Sequence, residues 1–263
     1  MHQSFVAMRY KVTLSYDGSA FSGWQIQCDE TTVQKCLQQA LQTLLKEEIS
    51  VTGAGRTDSK VHAVGYVAHF DASAADLDTA TVGYKLNAIL PPEIKVHSLV
   101  PAAPEFHARF DAKVREYKYF IHRRKDPFMN AYSWLYTFPL DVQAMNSAAR
   151  MLLGEHDFSC FEKVGSDNKT SLCKVIFAHW DWWEPDHVRM LGYPAEPETY
   201  LVFTVRANRF LRNMVRAMVG TLLEIGRGKQ PPDRIRTLLD GGTRSDAGES
   251  VPGHALFLSK IHY

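Results

Sequence analysis

Polar and apolar residues alternate over residues 9–16, and the pattern predicts a strand closed by a turn at Asp17-Gly18. Over residues 31–46 the period lengthens. Val33, Leu37, Leu41, Leu44 and Leu45 fall on one helical face, and Thr31 with Gln34 fits a capping box. A short strand at 49–52 leads into a tight loop, Gly53-Ala54-Gly55-Arg56-Thr57-Asp58-Ser59-Lys60. A strand over 61–70 follows, with Val64, Tyr66, Ala68 and Phe70 on one side. A helix over 76–88 stops before Pro91-Pro92, which cannot continue it, and another strand covers 94–100.

The second half repeats this order. Strands are expected at 114–122, 172–183, 199–207 and 255–261, and a helix at 141–153 ended by Gly154. A strongly periodic helix is expected over 209–225 with Asn208 as its cap, and a short one over 232–239 opened by proline. The stretch 183–197, rich in Pro and Glu, reads as a loop or the extended end of a hairpin. The order predicts an α+β fold of two similar β-α-β halves. They would form a mixed, mostly antiparallel sheet flanked by helices, with the active-site cleft between the halves. The expected division is 8–103 and 104–263, with the junction near Pro101 to Pro104.

Composition narrows the classes. A chain of 263 residues with 45% hydrophobic content can build a substantial core, and no apolar run is long enough to span a bilayer. Residues 1–7 have neither a charged n-region nor an apolar h-region, so export is not expected. Cys28, Cys36, Cys160 and Cys173 form no C-x-x-C pair, and no His pair stands at zinc-finger spacing. Reduced thiols in a cytoplasmic protein are the expectation. The net charge of +1 argues weakly against a nucleic-acid partner, but its distribution argues for one. Residues 109–125 hold seven basic and two acidic side chains, and residues 206–229 hold six basic against Glu224. Solvated faces would explain either cluster alone. Phe110, Tyr117, Tyr119 and Phe120 within the first tilt the reading toward a surface that meets phosphates and bases together. Arg209, Arg212 and Arg216, spaced by three and four, would share one helical stripe, opposite a core stripe of Leu211, Val215, Met218 and Leu222.

The loop 53–60 is the candidate for chemistry. It is not a dinucleotide fingerprint, because Asp58 stands where the last glycine is needed and a β-rich run follows. It also lacks the Gly-Lys-Ser/Thr of a phosphate loop. What remains is an Arg and an Asp presented together, either as a structural salt bridge or poised for acid–base or nucleophilic work.

The run Gly55-Arg56-Thr57-Asp58-Ser59-Lys60-Val61-His62-Ala63 resembles the G-R-T-D-x-G-V-H-A signature of the tRNA pseudouridine synthase A (TruA) family. So do Met8 to Gly18 with Phe21-Ser22-Gly23-Trp24-Gln25, Phe106 to Ala112, and Arg115-Glu116-Tyr117-Lys118-Tyr119. Leu153 to Phe158 and Asn208 to Arg216 complete the series, in the family's order. The family-like sequence begins at Met8. Two departures stand out. Lys60 replaces the family glycine, and Pro252 to Leu256 matches the family's Gly-Leu ending only loosely.

The resemblance implies an isomerase that detaches uracil from its ribose, turns the base and rejoins it through carbon five, with no cofactor or metal. It implies tRNA as partner, bound through its anticodon stem-loop at nucleotides 38 to 40, and a homodimer. Asp58 takes the role of nucleophile, attacking either the ribose or the uracil ring. Arg56 would help open the stem around the target nucleotide, Tyr117 would stack on the uracil and could take part in proton transfer, and Arg216 would pair with Asp58. A guanidinium there would keep ionised a carboxylate that a dry pocket otherwise tends to protonate. Lys60 is expected to have negative φ and to point toward RNA, since lysine is strained at positive φ. Two other readings stand beside this one. One is an RNA-binding protein that has kept the fold without efficient catalysis; the other is a small-molecule enzyme using the Arg-Asp pair.

Overall fold

In the computed structural model, which describes residues 7–73, 76–166 and 168–263, the alternating run near the N-terminus forms β1 (Met8–Tyr16). The reading of residues 1–7 as lacking an export signal falls almost wholly outside the described residues. Tyr10, Val12, Leu14 and Tyr16 are buried and their intervening neighbours are not, as a strand with one covered face requires. The chain folds as two compact units. One holds the residues up to Lys113 together with Leu258–Tyr263, and the other holds Val114–Phe257. Residues 104–113 thus sit with the first unit.

In the first unit β1 pairs antiparallel with β3 (His62–Ala72) and with β4 (Ile94–Pro101). The last strand, β10 (Leu256–His262), lies beside β3, giving the order β4-β1-β3-β10. A two-residue strand, β2 (Thr52–Gly53), adds to β3 through Thr52 opposite His69. The helix α1 (Val33–Leu45) buries Val33, Leu37, Ala40 and Leu41, and α2 (Thr79–Ile89) buries Leu86. The cap of α1 is Thr32, whose hydroxyl accepts from the Lys35 N–H, and not the expected Thr31. Gln34 is drawn away from any capping box. Its side-chain oxygen accepts from the Ile26 N–H at 2.9 Å and its amide donates to Val51 O at 2.7 Å. The strand β3 is covered on both sides, since Val67 and His69 are buried as well as Tyr66, Ala68 and Phe70, while Val64 is exposed.

The second unit holds β5 (Val114–His122), β6 (Trp134–Leu135), α3 (Val142–Arg150), β7 (Gly154–Asp157) and β8 (Leu172–Trp182). It continues with α4 (Asp186–Leu191), β9 (Tyr200–Ala207), α5 (Met214–Gly226) and α6 (Arg234–Leu239). Its strand order is β5-β9-β8-β7, antiparallel throughout, and the short β6 pairs parallel with β5. The architecture is therefore α+β with mixed, mostly antiparallel strands. The stretch 183–197 is not wholly loop, because α4 forms within it.

The largest difference from the sequence pattern lies before α5. The helix starts at Met214, not at residue 209, and its cap is Asn213 at φ 69°, a left-handed conformation that no helix interior contains. Asn208 is held to the sheet instead. Its side-chain oxygen accepts from the N–H groups of Lys174 and Arg209, and its own N–H donates to Lys174 O. Arg209 and Arg212 therefore precede the helix and share no helical stripe with Arg216. The expected core stripe is buried, although Leu211 contributes from ahead of the helix. Among the described residues no helix is long and apolar enough to cross a membrane.

Candidate active site

Residues 54–61 leave the sheet between β2 and β3 and return to it, and neighbouring strands pin the excursion from below. Tyr66 of β3 is fully buried. Its phenol donates to Gly55 O, while the Gly55 N–H donates to the Tyr66 phenol oxygen at 3.3 Å. Tyr16, at the end of β1, places its phenol 2.9 Å from the Thr57 hydroxyl in a buried contact. Trp24 stacks on Tyr66 with ring centres 4.1 Å apart, and its backbone N–H donates to Thr57 O at 3.2 Å. Gly23 makes this approach possible. At φ 95° it is in a region that side chains avoid, and a Cβ there would lie 2.5 Å from Thr57 O. Residues 55 and 57 are thus tied inward, and Asp58 follows directly, half-buried at the loop's end.

Arg56 lies between the two tied residues and is exposed. Its Nε donates to Gln25 Oε1 at 2.9 Å, so its partner here is a neutral amide. That disfavours the reading of a plain structural salt bridge to Asp58.

Lys60 overturns its expectation, for its φ is 65°. The Val61 N–H donates to Asp58 O at 3.2 Å, closing a four-residue turn whose third residue is Lys60. Positive φ at that position is the geometry that favours glycine, which accounts for the glycine of the family signature. The conformation is enforced from outside the turn, where the Lys60 N–H donates to Phe21 O at 3.3 Å. Just beyond, the buried His62 ring has Nδ1 3.0 Å from the Gly18 N–H and 3.1 Å from Asp17 Oδ1.

In the second unit Tyr117 lies on β5 opposite Val205 of β9. It is nearly covered, with the edge of Phe210 at 5.0 Å and 86°. Tyr119, two residues on and on the same face, is fully buried and donates to Pro252 O at 3.0 Å. Burial raises its pKa, and the positive charge of Arg216 opposes that rise. Arg216, in the first turn of α5, donates from Nε to Val251 O at 2.7 Å, and the Val251 N–H returns to Arg216 O. Gly220 lets the segment around Glu249 lie on the helix, for a Cβ there would fall 1.8 Å from Glu249 O. The sequence pattern did not single out Tyr16, Trp24, Tyr66 or Phe210 as parts of a site, and Tyr119, expected on a surface that meets bases, is instead fully buried. The only signal for the missed residues was that Tyr16, Trp24 and Phe210 lie inside family-like runs. Among the described residues no group of three or more His, Cys, Asp or Glu side chains could hold a metal ion.

The first unit carries a loop that presents an aspartate, and the second carries a sheet tyrosine and a helix-borne arginine. Residues 13–111 and 148–263 match the family described as tRNA pseudouridine synthase. Among similar proteins named tRNA pseudouridine synthase A, that of Bacteroides fragilis is 46% identical, covering 97% of this chain and 96% of its own. That of Bacteroides thetaiotaomicron is 46% identical, covering 97% of this chain and 90% of its own. That of Bacillus subtilis is 38% identical, covering 97% and 99%. A solved chain titled "Crystal Structure of a Cbf5-Nop10-Gar1 Complex" aligns at TM-score 0.30 and 14% identity over 81% of this chain and 54% of that one, too slight a likeness to carry an argument. The chain belongs to the tRNA pseudouridine synthase family, enzymes that isomerise uridine to pseudouridine in tRNA.

Proposed function

We propose that the chain acts on the anticodon stem-loop of tRNA at nucleotides 38 to 40, as a cytoplasmic homodimer, with Asp58 as the nucleophile. The observation that carries this reading is the loop itself. Asp58 is held at the end of a segment fixed by two buried tyrosines, in a chain that matches the family over nearly its whole length.

The target base is stacked in the free tRNA and must be extruded, at a cost of a few kcal/mol. Arg56, exposed two residues before Asp58, suits insertion into the stem or contact with its phosphates once its bond to Gln25 is exchanged. Tyr117 offers a ring already braced by Phe210, on which the uracil stacks. The resemblance to the family assigns Arg216 as the cation that partners the Asp58 carboxylate. Asp58 forms a bond to either the ribose C1′ or the uracil ring, the N1–C1′ bond breaks, the base turns, C5 bonds to C1′, and the bond to Asp58 breaks to release the free carboxylate. The proton lost from C5 balances the one gained at N1, with Tyr117 suited to carry it. The sum is an isomerisation that consumes no co-reactant.

Incubation with an unmodified tRNA transcript and chemical mapping of the product tests the reading. Pseudouridine is expected within nucleotides 38 to 40. Modification elsewhere, or none, contradicts it.

A further inference from the structure

The family-like run Phe106 to Ala112 has no part in the site described above, yet the fold builds it with care. Within the first unit residues 107–111 form a tight turn whose backbone is held at several points. The His107 ring accepts from the N–H groups of Arg109 and Phe110 at 3.1 and 3.3 Å, and the His107 N–H donates to Asp111 Oδ2 at 2.8 Å. The Ala108 N–H donates to the buried His69 ring at 3.1 Å, and Ala108 O accepts from the Tyr263 phenol at 2.7 Å.

What this turn presents is Phe110, whose side chain is 73% exposed. A single exposed phenylalanine needs no explanation in general. This one has specific company. Its ring lies 4.2 Å from the His107 ring at 35°, and the Arg109 guanidinium carbon lies 5.6 Å from its centre. Lys11 stands over the rings of Phe106 and Tyr263 at 5.4 and 4.8 Å, adding a second cation among aromatic faces in the same unit. Aromatic faces among cations on a preset backbone are how proteins hold unpaired nucleobases, since every base has a π face and a neighbouring phosphate.

We propose that Phe110, with Arg109 beside it, is a stacking platform for one unpaired nucleobase of the tRNA. The proposal rests on tRNA being the substrate. It adds a contact separate from the target uridine's own pocket.

The test compares Phe110→Ala, Phe110→Leu and Phe110→Trp in the full chain, reading the affinity for an unmodified tRNA transcript at fixed salt, the melting temperature, and the oligomeric state by sedimentation. Loss of one base stack should weaken tRNA binding about fivefold to a hundredfold in the alanine variant. Leucine should be as weak as alanine, because it has bulk without a π face, and tryptophan should restore binding. The melting temperature should not move, since the ring is exposed. Wild-type affinity in the alanine or leucine variant would overturn the proposal, as would failure of tryptophan to restore it. A shift toward monomer in the alanine variant would also overturn it, marking the ring as a contact between copies instead. Because the assay reads binding without turnover, its outcome is separate from whether Asp58 is the nucleophile.

Discussion

Removing one oxygen from Tyr16 tests how the aspartate loop is held. The Tyr16 phenol and the Thr57 hydroxyl meet at 2.9 Å, with the residues only 3% and 6% exposed, so water cannot readily replace either partner. In Tyr16→Phe the Thr57 hydroxyl loses its side-chain partner while staying buried, which costs about 1–3 kcal/mol. Thr57→Val removes the other half of the bond. The double variant replaces both groups by apolar ones of the same shape, so it should be less destabilised than the two single losses added together. The coupling should be on the order of 1 kcal/mol or more. Urea unfolding of the four proteins measures it. The same bond sets the direction in which the next residue, Asp58, leaves the loop. Each single variant should therefore lower single-turnover pseudouridine formation at saturating tRNA about tenfold or more, with tRNA affinity unchanged. Additive stability losses, or single variants with wild-type turnover, would refute the claim that this contact positions the loop.

Other outcomes follow from the same geometry. Lys60 at φ 65° carries about 1–2 kcal/mol of backbone strain, partly offset by the freedom glycine gives the unfolded chain. Lys60→Gly should thus stabilise the protein by up to about 1 kcal/mol in urea unfolding, and a clear loss would contradict the strain. Burial, then the charges of Arg9 and His107, lowers the His69 pKa to about 4. The unfolded chain then takes up this proton first, so stability is lost as pH falls from about 6.5 toward 4. An NMR titration of His69 with its midpoint near 6.5 would contradict that. Affinity for tRNA should fall steeply with salt, by nearly one log unit per log unit of salt for each phosphate contacted. A flat response would mean that the basic clusters are only solvated faces.

How far the sequence was legible depended on whether local pattern or distant contact decided each element. Residues 114–122 are rich in aromatic and β-branched side chains, and β5 begins and ends where the pattern placed it. The start of α5 was hidden because Arg209, Arg212 and Arg216 carry helical spacing, while Asn208 is bound across the sheet to Lys174 and Asn213 takes a left-handed conformation. Neither fact is encoded in periodicity. Asp58 was visible through the family-like run around it. The tyrosines that hold its loop were not, since Tyr16 and Tyr66 reach Thr57 and Gly55 only through the pairing of β1 with β3. Lys60 misled for a similar reason. Its own preference is for negative φ, and the turn closed by Asp58 and Val61, tied to Phe21, prevails over it.

The most direct test of the account is Asp58→Asn, a near-isosteric change that removes the nucleophile and leaves the loop's anchors at Gly55 and Thr57 in place. The variant should fold with an unchanged melting temperature and bind unmodified tRNA as the wild type does. Incubated with that tRNA at the wild-type enzyme concentration, it should leave no pseudouridine detectable by chemical mapping. Pseudouridine formed by this variant at a measurable rate would contradict the assignment of Asp58.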